Sequence, residues 1–210
     1  MAATYVLIHG AGDVGWYWHL VEAQLRVLGH DVVAMDLPVD DDSAGLSDYA
    51  DVVVAAIGDR DDLVVVAQSF GGYIAPIVCE RIPVRLLVLV AAMIPAPGES
   101  AEEMFANTGY ERAEQSGSSE LETFYHDVAP KLAAEALSKG RRQSQTPSKE
   151  PCAGRVARRS DALPALSPRP PLFPDVAPSH RARASRDCAR RNRQRSHARA
   201  QPSTRADPAA

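Results

Sequence analysis

A serine set among small residues, in Val66-Ala67-Gln68-Ser69-Phe70-Gly71-Gly72, is the group in this sequence best placed to do chemistry. Ala67 stands two residues before it and Gly71 two after, the small-x-Ser-x-Gly spacing of a strand-to-helix turn. Such a turn is so tight that bulky flanking side chains would strike neighbouring backbone. Ala67 occupies a position where glycine is commoner. The serine it holds presents its hydroxyl above the end of a strand, where the free N–H groups and partial positive charge of the following helix also point. The chemistry this serves is attack by Ser69 on an acyl carbon. The plainer reading makes Ser69 only a helix N-cap; the apolar strand before it and the helical pattern after it favour the nucleophile.

Attack on an acyl carbon builds negative charge on the carbonyl oxygen, so N–H donors must be aimed there in advance. Two sources are available. The residue after the serine, Phe70, offers one backbone N–H. A second glycine-rich loop, His9-Gly10-Ala11-Gly12, follows the first apolar run, and Ala11 is the donor chosen from it. The loop could instead cradle a phosphate, but neither GxGxxG nor GxxxxGK[ST] is present. His9 is read as a residue that organises its loop rather than as a base.

These groups need elements to position them. Residues 5–8, 32–35, 63–66 and 86–90 are short continuous apolar runs, the pattern of strands buried on both faces. Helical periods lie between them. Trp18, Val21, Leu25 and Leu28 precede a stop at Gly29, and Leu46, Tyr49, Val53 and Ile57 precede another at Gly58. Ile74, Ile77 and Val78 predict a helix after Ser69, with an early bend at Pro76. Alternating strands and helices of this kind predict an α/β fold with a parallel sheet covered on two sides. Residues 99–140 are more polar and predict helices, including Glu120–Tyr125 and Lys131–Leu137, inserted over the strand ends. Asp40-Asp41-Asp42 reads as a solvated acidic turn.

The Tyr5–Gly12 strand and loop, Trp16-Tyr17-Trp18, the strand ending Met35-Asp36-Leu37-Pro38 and the Gln68–Gly72 turn together resemble the α/β-hydrolase superfamily. They are most similar to its small serine esterase and hydroxynitrile-lyase-like branch, from the N-terminus to about residue 150. The resemblance implies a Ser-His-Asp triad in chain order Ser, Asp, His, a helical cap over the pocket, and a small-molecule ester as substrate. By residue it makes Ser69 the nucleophile and Ala11 and Phe70 the oxyanion hole. A serine at 69 argues against the dehalogenase-like and epoxide hydrolase-like members, which carry Asp there.

The triad acid and base should follow residue 150, where the composition changes. Residues 1–140 hold 7 Lys+Arg against 22 Asp+Glu, net −15; residues 141–210 hold 16 against 5, net +11. From Cys152 onward, 40 of 59 residues are Arg, Ala, Pro or Ser, with no four-residue apolar run to make a buried strand. The chain is therefore divided into an incomplete hydrolase domain, 1–150, with a cap at 99–140, and a basic tail, 151–210, expected to be disordered. The tail reads as out-of-frame translation of GC-rich coding DNA. Shifted by one base, the codons from Cys152 permit Trp-Pro-Asp-Ala-Trp-Pro-Asp-Val-Pro-Thr-Arg-Phe-Leu-Leu. An Asp becomes available across the Arg169 and Pro170 codons. The codons of Asn192 to His197 permit Ile-Asp-Ser-Gly-His-Met, similar to the family's histidine loop. No acid and no base are assigned: His19 and His30 flank the first helix, His126 and Asp127 lie in the cap, Asp36 has no matched histidine, and His180 and His197 fall in the tail.

Other classes fall away on composition. No apolar run reaches the ~20 residues of a membrane span, and no secretory signal opens the chain. Cys79, Cys152 and Cys188 are odd in number and lack CxxC spacing, so neither a disulfide framework nor a metal site is expected. The expectation is a cytoplasmic enzyme without cofactor, with an ester as partner rather than a membrane or nucleic acid. Two further readings use the same residues: a non-catalytic binding protein whose tail, dense in Arg from 181 to 199, holds an anion or nucleic acid, and hydroxynitrile lyase-like chemistry. With its triad partners unidentified, the chain is expected to be impaired as a hydrolase.

Overall fold

Among the described residues, strand β1 (Thr4–Ile8) lies near the middle of a sheet of four strands, with β2 (Asp31–Ala34) on one side. On its other side come β3 (Leu63–Gln68) and then β4 (Leu86–Val90), in the order β2-β1-β3-β4. All neighbouring pairs are parallel; Val6 stands opposite Val33 and Val65, and Val66 opposite Val88. The computed structural model describes residues 2–108 and 119–153. The predicted tail lies outside the described residues from 154 onward.

A parallel sheet requires crossovers on its faces. Helices α2 (Leu46–Ile57) and α3 (Gly71–Arg81) share one face, where Tyr49, Val53, Tyr73, Ile74 and Val78 are sealed against Val6, Ile8, Val65 and Ala67. Leu46, Tyr49, Val53 and Ile57, the predicted apolar stripe of α2, are all buried. Each contributes about 1.5–3 kcal/mol by leaving water. Pro76 sits inside α3, which runs on past it.

The opposite face is covered more thinly. Helix α1 (His19–Val27), preceded by a 3-10 turn at Gly15–Trp18, brings Trp18 and Leu25 onto Leu7, Val32 and Val64. Two of the four predicted core positions of this region stay outside: Val21 is 43% exposed and Leu28 61%. Their periodicity marks an apolar face, but a period cannot say what covers it. Among the described residues β4 forms an edge, with Leu86 50% and Val90 41% exposed.

Beyond the sheet come α4 (Ala101–Thr108), α5 (Glu120–Phe124), α6 (Pro130–Lys139) and the short α7 (Thr146–Lys149). Helices α5 and α6 match the two predicted in the cap to within two residues. Residues 141–153 then return to the body as a strap. Arg141 pairs with Asp40 at 3.2 Å and Arg142 with Asp42 at 2.9 Å. The acidic turn, expected to be merely solvated, is thus the strap's anchor. Glu150 accepts the Leu46 N–H at 2.7 Å, capping the N-terminus of α2 from outside that helix.

Candidate active site

The strand order reverses between β1 and β3. The chain leaves β1 to build β2 on one side, then returns to place β3 on the other. In open parallel sheets this crevice, at the carboxyl ends of the strands, is where ligands bind. The loops that open there are residues 9–12 and 69–70, the two singled out by sequence.

Ser69 is one of three non-glycine residues among those described with a positive φ, at 49°. A side chain is strained in this region. The strain is held by the surrounding backbone: the Ser69 carbonyl accepts from the N–H groups of Gly72 at 3.1 Å and Met93 at 2.9 Å. Any β-carbon on Gly72 would collide with the Met93 carbonyl. Gly72 must be glycine for the chain after β4 to close on the turn.

Ala11, Ser69 and Phe70 line one cleft of about 830 Å³, together with Met93, Met104 and Phe105 from beyond β4. Phe70 immediately precedes α3, so its N–H belongs to the positive end of that helix. The three predicted site residues are therefore brought together.

The loop bearing Ala11 is fixed from both sides. His9 is 1% exposed and bonds twice: Nδ1 donates to the Gly10 carbonyl at 2.9 Å, and Nε2 accepts the Leu37 N–H at 3.1 Å. This is the tautomer that a backbone donor at Nε2 requires. Burial pushes the His9 pKa down, so the ring stays neutral and serves as a brace between loops. On the other side the strap grips Gly12, which has a φ of +69°. Its N–H donates to Gln143 Oε1 at 2.9 Å, and its carbonyl accepts the Arg141 N–H at 2.7 Å. Gln143 has no local signal in the sequence; only its partner 131 residues away gives it meaning.

The remaining candidates are engaged elsewhere. His19 bonds the Trp16 carbonyl at 2.8 Å and stacks on the Trp16 ring. His30 accepts the Ala3 N–H at 3.2 Å. Asp36 accepts the Gly15 N–H at 2.8 Å. His126 and Asp127 are exposed in the cap, and His180 and His197 lie outside the described residues. Among the described residues no group of three or more His, Cys, Asp or Glu is placed to hold a metal, and no helix is long and apolar enough to cross a membrane.

Asp13 stands out in no sequence pattern. It lines the cleft, and burial lifts its carboxyl to about 6, with the nearby charge of Glu120 adding to the rise. Tyr17 stands beside it, accepting from the Tyr125 hydroxyl at 3.0 Å and donating to the Ala136 carbonyl at 2.9 Å. Through this chain the cap is tied to the loop after β1.

The sequence profile of the alpha/beta hydrolase family matches residues 5–207. The chain belongs to this family. Among curated proteins it is similar to methylesterase 7 of Arabidopsis thaliana, 36% identical over 104 residues, 43% of this chain and 40% of that protein. It is also similar to a probable rice esterase, PIR7A of Oryza sativa subsp. japonica, 37% identical over 109 residues, 45% of this chain and 41% of that protein. The chain thus spans about 40% of the length of these relatives. Among solved structures, an extracellular alpha/beta-hydrolase from a Paenibacillus species aligns with a TM-score of 0.58 at 23% identity, covering 71% of this chain and 70% of that one. Polyneuridine aldehyde esterase aligns at 0.56 and 19%, covering 70% and 71%. These structural likenesses speak to the fold. The curated matches put the sequence resemblance in the esterase-like branch of the family.

Proposed function

We propose that this chain cleaves a small carboxylic ester through an acyl intermediate on Ser69, with the Ala11 and Phe70 N–H groups receiving the carbonyl oxygen. The observation that carries the reading is the strained Ser69, at a φ of 49° between β3 and α3, facing a cleft it shares with both donors. A non-glycine residue in that conformation costs about 1–3 kcal/mol, and such strain clusters where it serves function. The methionine and phenylalanine side chains of the cleft suit an apolar acyl or alcohol group. The esterase relatives supply the reaction class, and the bond to be cleaved is taken from them.

Hydrolysis of 4-nitrophenyl acetate and butyrate tests the reading. The full chain should release nitrophenol above the buffer rate, and Ser69→Ala should bring the rate back to that of buffer. Equal rates in the folded wild type and Ser69→Ala would end it.

A further inference from the structure

The cleft that holds Ser69 is charged in one sense only. Among the described residues, the charged side chains lining it are Asp13, from the loop after β1, and Glu120, at the start of α5. No described Lys, Arg or His lines the cleft, and neither carboxylate has an ion pair among the described residues. Arg141 lines an adjoining recess of about 300 Å³ that shares both carboxylates. Its guanidinium is turned away, to Asp40 at 3.2 Å and to the Leu37 carbonyl at 2.6 Å.

The acidic side lies close to the reacting atoms. The point that a β-carbon on Gly10 would occupy lies 3.0 Å from Asp13 Oδ2 and 3.1 Å from Ser69 Cβ, so these atoms are at most about 6 Å apart. Gln68 Oε1 lies 2.5 Å from the same point and sets a second acceptor oxygen beside the serine. Met93, Ile94, Met104, Phe105 and Phe124 give the cleft its apolar lining.

Resting on the reading of Ser69 as nucleophile, we propose that the substrate is a carboxylic ester carrying an ammonium group a few bonds from its carbonyl carbon. With that carbon at Ser69, the ammonium group comes within reach of Asp13 and Gln68, and Glu120 adds to the field that attracts it. The remainder of the ester takes the apolar lining. A carboxylate in the same place would meet two like charges, and an uncharged group would leave Asp13 desolvated without a counter-charge. Burial, with the charge of Glu120, lifts the Asp13 carboxyl to about 6, and a bound cation offsets both causes. The other titratable groups facing it are the phenols of Tyr17 and Tyr125, both held protonated, with burial as the leading cause.

Two 4-nitrophenyl methylphosphonates test the proposal on the full chain. One carries a 2-(trimethylammonio)ethyl ester group and the other its uncharged isostere, 3,3-dimethylbutyl. Each leaves its phosphonyl group on Ser69 Oγ and releases 4-nitrophenolate. The ratio of the two labelling rates, read by intact-protein mass spectrometry, isolates the charge, because changes in serine reactivity common to both probes cancel. At pH 8 the cationic probe should label wild type faster by about tenfold or more, the part of a charge pair's attraction at this range that survives screening. The ratio should fall as pH drops from 8 to 5, since Asp13 loses its charge through about 6. Asp13→Asn should cut the ratio at pH 8 by about fivefold or more and flatten its pH dependence. Asp13→Glu, which keeps a carboxylate, should retain most of the ratio, and Glu120→Gln should lower it less than Asp13→Asn does. Equal rates for the two probes in wild type, or a ratio that Asp13→Asn leaves unchanged, overturns the cationic substrate while leaving Ser69 in place. A folded wild type that takes up neither probe overturns Ser69 as nucleophile, and the proposal with it.

Discussion

Replacing Gln143 by Ala should loosen the loop that carries Ala11. Three hydrogen bonds go with the side chain. The Gly12 N–H loses its acceptor at 2.9 Å, the Ser144 carbonyl its donor at 3.0 Å, and the Tyr49 hydroxyl a weaker contact at 3.3 Å. A neutral hydrogen bond nets about 0.5–1.5 kcal/mol, and a buried group left without a partner costs about 1–3 kcal/mol. Gly12 is only partly buried, so water replaces part of the loss, and the expected cost is about 1–2 kcal/mol. For a domain of this size each kcal/mol moves Tm by about 2–4 °C, so Gln143→Ala should melt about 3–6 °C lower by circular dichroism. Gln143→Glu keeps an oxygen facing Gly12 and should fall by less than half as much. Ester hydrolysis should lose kcat more than KM, by about tenfold, since a misaimed oxyanion donor costs part of the 10²–10³ of a deleted one. A Gln143→Ala protein that melts within about 1 °C of wild type would refute the clamp.

Other outcomes follow from the same contacts. Glu150→Ala removes an external cap from α2 and should cost about 1 kcal/mol in denaturant unfolding, whereas Arg142→Ala, which breaks an exposed ion pair with Asp42 and an exposed hydrogen bond to the Asp40 carbonyl, should move the midpoint by less than half as much. Gly72→Ala sets a methyl group against the Met93 carbonyl and should yield insoluble protein or a Tm lowered by more than about 10 °C, an effect of about 3 kcal/mol or more. His9 is held neutral by burial, so the unfolded chain binds the extra proton first. Its contribution is complete above the unfolded value of about 6.5 and declines as pH falls below it; the acid slope in urea unfolding should be shallower in His9→Gln. Resequencing the DNA around the Cys152 codon should reveal a base gained or lost and a continuing hydrolase-like frame; the reported bases standing, with no such frame beyond them, would remove the frameshift explanation.

The sheet was legible because its strands are continuous apolar runs. A segment such as Leu63-Val64-Val65-Val66 can satisfy two buried faces and little else. The α2 stripe was equally readable, since Leu46, Tyr49, Val53 and Ile57 meet one neighbour. For α1 the same kind of pattern overstated burial at Val21 and Leu28, because periodicity locates a face without naming its cover. The proposed site was half legible. Ser69, Ala11 and Phe70 announce themselves by turn chemistry, which is local. The strap did not: Arg141 and Arg142 sit on the basic side of the composition break, and their partners Asp40 and Asp42 lie about a hundred residues upstream. Asp13 was hidden for a related reason. Its closeness to Ser69 arises only when β1 and β3 pair side by side.

The central claim is that Ser69 is a nucleophile, and covalent capture tests it most directly. The intact chain, incubated at pH 8 with excess ethyl 4-nitrophenyl methylphosphonate and then digested, should carry one phosphonyl group on the peptide containing Gln68-Ser69-Phe70. Ser69→Ala should carry none. A folded wild-type chain that stays unmodified, or an adduct on another residue that persists in Ser69→Ala, would contradict the account.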